Sequence, residues 1–109
     1  MIDYFVFMLN LLKIIGYDID YQNNTSKDYL NLDSLQFSNE SISNSLKFPH
    51  LLLNYKNNIN LENANSFFRV FEIILQNHHL NNMNLNIPIH YFKFKKIVLN
   101  FLNKNEKYN

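Results

Sequence analysis

Apolar residues come in blocks along this chain, and the blocks differ in period. From Ile2 to Ile15 they fall on nearly every side of a helical projection. A helix apolar all round belongs at the centre of a bundle. Aromatic and β-branched residues are common in the block, but its length argues for helix over buried strand. Gly16, the only glycine, follows directly. It predicts a left-handed C-terminal cap, with Tyr17 folded back onto the last turn.

The clearest amphipathic pattern spans residues 60–80. Leu61, Ala64, Phe67, Phe68, Phe71, Ile74, Leu75 and His78 recur at steps of three and four. Asn60 is a good N-cap, and Glu62 in the first turn suits the helix dipole. His78 and His79 suit its negative end. Residues 81–86 alternate Asn with Met83 and Leu85 and predict a connecting loop. A last helix is predicted from Pro88 to about Leu102, with a core stripe of Phe94, Ile97, Val98, Phe101 and Leu102. Lys93, Lys96, Asn100 and Lys104 follow one another on a different face.

Between these blocks the pattern is weaker. Asp18 to Ser26 is rich in turn formers. Residues 28–38 alternate polar and apolar, as a small half-buried hairpin would. Ser38 to Ser45 is polar and carries no prediction. Pro49 opens a short helix through His50, Leu51, Leu52, Leu53 and Tyr55, ended by Asn57 and Asn58. The expected fold is mainly α. It is a small bundle of three main helices plus a short one, with a possible short β-hairpin insert. One domain covers 1–104, and 105–109 is expected to be a frayed tail.

At 109 residues and 47% apolar content the chain suits one domain able to bury a core without disulfides or metals. The abundance of Asn, Lys, Ile, Phe and Tyr is what a very A+T-rich genome would write. The Asn residues are interleaved with apolar ones at regular spacing, unlike a low-complexity tract. With no cysteine, thiolate metal sites and cysteine nucleophiles are excluded, and a reducing compartment fits. The apolar block at 2–15 is too short to span a bilayer and has no cleavage-site pattern, so a cytoplasmic chain is expected. Formal net charge is +1, but unevenly spread. Residues 1–59 have four lysines against six acids, net −2, and residues 60–109 have six cations against three acids, net +3.

Candidate chemistry is sparse. His50, His78, His79 and His90 contain no His-x-x-x-His pair for a metal and are expected to be surface or capping residues. Asp18, Asp20, Asp28 and Asp33 lack the glycine and glutamate of a calcium loop. Phosphate loops, nucleophile elbows and dinucleotide fingerprints need glycines that are not here. No enzyme, no cofactor and no small-molecule substrate are expected. His90-Tyr-Phe-Lys-Phe-Lys-Lys96 mixes aromatics with cations. It is either the solvated face of a terminal helix, a nucleic-acid contact, or a basic edge beside an apolar groove that takes an acidic peptide.

Leu11-Leu-Lys-Ile-Ile-Gly-Tyr-Asp-Ile-Asp20 resembles the Leu-Gly-Tyr/Phe turn in the C-terminal helical domain of the bacterial recombination mediator RecO. Tyr29 to Ser38, Leu46 to Leu52, Phe67 to Leu80 and Ile87 to Ile97 resemble later pieces of that domain, in the same order. Three features depart from the family. Its N-terminal oligonucleotide-binding barrel has no counterpart before the first helix. A four-cysteine zinc site carried by some members cannot form. Where many members have an Arg early in the last helix, this chain offers His90, Lys93 or Lys95. The resemblance implies a DNA repair role exercised by binding partners: the acidic, apolar tail of single-stranded-DNA-binding protein, RecR, and possibly single-stranded DNA. It makes Arg69, Lys93, Lys95 and Lys96 candidates to pair the tail's carboxylates. The alternative is a small structural or protein-interaction domain.

Overall fold

A computed structural model describes residues 2–54 and 59–108, with Ile2, Asn54 and 105–108 described by backbone alone. Helix α1 (Ile2–Ile14) is followed by three short strands, β1 (Tyr29–Asn31), β2 (Phe37–Ser38) and β3 (Ser45–Lys47). Then come α2 (His50–Asn54), α3 (Leu61–Ile74) and α4 (Ile89–Tyr108). The mainly helical architecture with a small antiparallel insert is the one the sequence pattern predicts.

α1 ends as Gly16 dictates. Gly16 sits at φ +109°, its amide donates to the Lys13 carbonyl at 3.0 Å, and the Tyr17 amide donates to the Leu12 carbonyl at 2.8 Å. These two bonds are the Schellman arrangement, which satisfies carbonyls that the last turn leaves open. The Tyr17 backbone folds back as expected, but its side chain does not. The hydroxyl reaches the His78 carbonyl at 2.8 Å, and the ring packs beside His78 and His79.

The central helix is α3, which corrects the placement of the first helix there. α3 buries Ala64, Phe67, Phe68, Val70, Phe71 and Ile74, and α1, α2 and α4 all pack on it. α1 contributes one side only: Phe5, Met8, Leu9 and Leu12 are buried, whereas Phe7, Leu11, Ile14 and Ile15 are exposed. Phe5 sets edge-on against Phe67 at 4.8 Å, the join between the two helices. Asn60 caps α3 as predicted, accepting from the Asn63 amide at 2.8 Å. The helical path continues beyond Ile74 as a π-helical turn (Leu75–Leu80) and a 3₁₀ turn (Asn81–Met83), closed by left-handed Asn84.

The insert is a three-stranded antiparallel sheet with β1 in the middle, rather than a lone hairpin. Leu30 pairs with Phe37 on one side and Leu46 on the other, and is fully buried. The third strand escaped prediction because its only apolar residue is Leu46, after a polar run. Asn31 closes the β1–β2 turn by accepting from the amides of Asp33 and Ser34, both at 2.9 Å. Two histidines fasten the sheet to the helices. His50 bonds through Nε2 to the Lys27 carbonyl at 2.8 Å, and His78 bonds through Nε2 to the Leu32 carbonyl. His50 is therefore buried, correcting the surface expectation; its ring clusters with those of Phe37 and Phe48, which also touch each other at 5.3 Å. His78 and His79 are half-buried and His90 is exposed. The predicted end of the short helix at Tyr55, Asn57 and Asn58 lies outside the described residues.

α4 runs past its predicted end at about Leu102 to Tyr108; Asn109 lies outside the described residues. Its predicted core stripe is split. Val98 and Leu102 are buried, but Phe94, Ile97 and Phe101 are 44%, 65% and 54% exposed. The reason is angular. Val98, Leu102 and Tyr91 lie on the arc that meets α3. Phe94, Ile97 and Phe101 lie on the adjoining arc, which turns toward the outer edge of α1. No described helix is long and apolar enough to cross a membrane.

Candidate functional site

The four cations singled out from the sequence do not form one cluster. Lys93 and Lys96 project to solvent on the outer side of α4. Lys95 lies about 200° round the helix from Lys93 and faces α3. Its ammonium is 2.7 Å from the Glu72 carboxylate and sits over the Phe68 and Phe92 rings at 5.7 and 5.9 Å. Lys95 is thus engaged within the fold. Arg69 lines a separate cleft of about 180 Å³ with Leu46, Lys47 and Ser66.

The Glu72 oxygen that pairs with Lys95 also accepts from the Tyr91 hydroxyl at 3.1 Å. Burial raises the Tyr91 phenol above its ordinary range, and the neighbouring Glu72 charge raises it further. Burial likewise raises Tyr4. Tyr91 also stacks on Phe71 at 5.8 Å. This network locks α4 to α3 and fixes which arc of α4 faces outward.

That outward arc borders a wholly apolar groove of about 330 Å³ between α1 and α4, lined by Tyr4, Phe94, Ile97, Val98 and Phe101. The Tyr4 and Phe94 rings meet at 5.0 Å. The groove continues along Ile97 and Phe101 to Asn100 and Lys104. Lys93 and Lys104 are each within about 40° of Ile97 on the helical projection, and Lys96 is about 100° away. Lys104 thus closes one end of the apolar channel and Lys93 stands near its edge, whereas Lys96, about 140–160° from Phe101 and Phe94 on the projection, faces away from it. Among the described residues, none of these three lysines has an acidic side chain within ion-pair distance.

Sequence reasoning placed Lys93, Lys96, Asn100 and Lys104 on one face of the last helix and assigned the residues that line this groove to the core. It did not include Tyr4, and it did not count Lys104 among the candidates to pair carboxylates. The signal was the width of α4's apolar arc. Tyr91, Phe94, Ile97, Val98, Phe101 and Leu102 cover more of the helix than one packing partner can bury.

Among the described residues no three His, Asp or Glu side chains gather as a metal-binding group. Comparison with protein-family models, curated proteins and solved structures finds no match for the chain.

Proposed function

We propose that the chain is a non-enzymatic, cytoplasmic partner-binding module that captures an acidic peptide with apolar anchors on the outer face of α4. The observation carrying this reading is the apolar groove with Lys104 at its far end and Lys93 within about 40° of Ile97 on the helical projection. Buried apolar anchors give such an interface its affinity, and rim charges steer approach and select the partner's sign. The resemblance to RecO gives the proposal its specific form. The partner would be the acidic tail of single-stranded-DNA-binding protein, in a DNA repair complex that includes RecR. Support for that form comes from the sequence pieces alone.

The test is fluorescence anisotropy with a labelled acidic peptide ending in aromatic residues. Affinity is expected to fall with added salt, and by about tenfold in the double variant Lys93→Glu, Lys96→Glu. Unchanged affinity in that variant removes the proposed site. A salt-dependent shift with single-stranded DNA, without any with peptide, would move the function to nucleic acid.

A further inference from the structure

Apart from the α4 groove, we infer that the chain binds a small phosphate monoester whose far end carries an N–H donor, in two adjoining clefts that share Lys47. The smaller cleft is the one of about 180 Å³ between β3 and α3, lined by Leu46, Lys47, Ser66 and Arg69. Ser66 and Arg69 are three residues apart on α3 and so are neighbours on its surface. Among the described residues neither Lys47 nor Arg69 has an acidic side chain within ion-pair distance. Glu62, two turns before Arg69, is not part of the lining. Two cations and a hydroxyl around so small a space suit one tetrahedral oxyanion. Arg69 offers a planar fork to two of its oxygens and Lys47 a point charge to a third. A monoester carries close to two negative charges at neutral pH, which matches the two cations.

The larger cleft, of about 310 Å³, carries the opposite chemistry. Its lining includes Asp28, Lys47, Phe48, Pro49, His50 and Leu51. His50 is only 9% exposed. Its Nε2 bonds the Lys27 carbonyl, which can only accept, so Nε2 carries the proton and Nδ1 of the neutral ring is left as an acceptor. Among the described residues Nδ1 has no hydrogen-bond partner. A buried acceptor without a donor costs free energy, and an N–H group entering the cleft would recover it. Asp28 adds a second acceptor and has no cation within ion-pair distance among the described residues. Its charge also repels a second phosphate, so the anionic end of the ligand belongs in the smaller cleft alone. Phe48, Pro49 and Leu51 supply apolar contact for the carbon body between the two ends.

The experiment titrates the intact protein with inorganic phosphate, phenyl phosphate and 4-aminophenyl phosphate, followed by amide chemical shifts. Shifts are expected to concentrate at Lys47, Ser66, Arg69 and His50. Affinity is expected to rise at least about tenfold from inorganic phosphate to 4-aminophenyl phosphate, with phenyl phosphate between them. Arg69→Ala, at an exposed position, is expected to weaken all three by about tenfold while the melting temperature holds. Asp28→Ala, also exposed, is expected to narrow the gap between the two esters and leave inorganic phosphate unchanged. Equal affinity for all three probes overturns the joined site. Binding that Arg69→Ala leaves untouched, or shifts confined to the lysines of α4, overturns the inference as a whole. Neither result bears on peptide capture, which is read in the Lys93→Glu, Lys96→Glu variant.

Discussion

The Lys95 ammonium and the Tyr91 hydroxyl share one carboxylate oxygen of Glu72, at 2.7 and 3.1 Å. This arrangement divides the lysines of α4 into one that holds the fold and others that face outward. Glu72→Gln is expected to lower stability by about 1–2 kcal/mol, because the charge-assisted contacts of a half-buried group are lost. Denaturant titration checks the loss. Peptide affinity at the α4 groove is expected to stay unchanged, and a parallel drop would mean that Lys95 also touches the partner.

Tyr91 gives the molecule an alkaline signature. Its protonated form is favoured by the folded state, so the stability this confers is complete below the ordinary tyrosine pKa of about 10. Above that pH the unfolded chain ionises first, and stability falls as pH rises. Allowing for the side chain's partial exposure, the fall attributable to Tyr91 is up to about 1 kcal/mol per pH unit. Tyr91→Phe is expected to flatten the stability curve between pH 10 and 12 relative to the parent, measured by urea unfolding. Identical slopes would refute the linkage.

Phe71 and Phe101 form a matched pair for testing which apolar residues carry the core. Phe71 is 6% exposed on α3, and Phe71→Ala is expected to cost about 3–5 kcal/mol. Phe101 is half exposed on the groove, and Phe101→Ala is expected to cost less than about 1 kcal/mol while weakening peptide capture. Thermal melts of the two variants decide the assignment. Equal losses would show that α4 is rotated from the orientation described.

Gly16→Ala isolates the cap of α1. No atom would obstruct the added Cβ, so only backbone strain at φ +109° opposes it. A loss of about 1–2 kcal/mol is expected. Because the strain is local, Gly16→Asn should recover part of it, since Asn tolerates positive φ better than Ala. A fully stable Gly16→Ala variant would show that the turn has another route.

What was legible in the sequence was local. The period of Leu61 to Ile74, the Asn60 cap and the Gly16 stop each follow from residues within a few positions of one another. What stayed hidden was set by distant neighbours. Tyr17 finds its hydroxyl partner 61 residues away at His78. His50 is buried because, beside the adjacent Phe48, Lys27 presents a carbonyl from 23 residues away and Phe37 supplies a ring, neither of which its own surroundings announce. Phe94 and Ile97 carry the same periodic signal as Val98 and Leu102. Periodicity reports that a residue is apolar, but which arc α3 covers depends on the Glu72 link. The groove could be recognised only once one of two equally greasy arcs was left without a neighbour.

That uncovered arc has a practical consequence for handling the protein. With a formal net charge of +1, molecules repel one another weakly, and bare phenylalanine and isoleucine on two adjoining helices offer a sticky collision surface. Solubility should therefore be low near the isoelectric point of about 8.0 and should rise steeply when an acidic companion chain is co-expressed to shield the face.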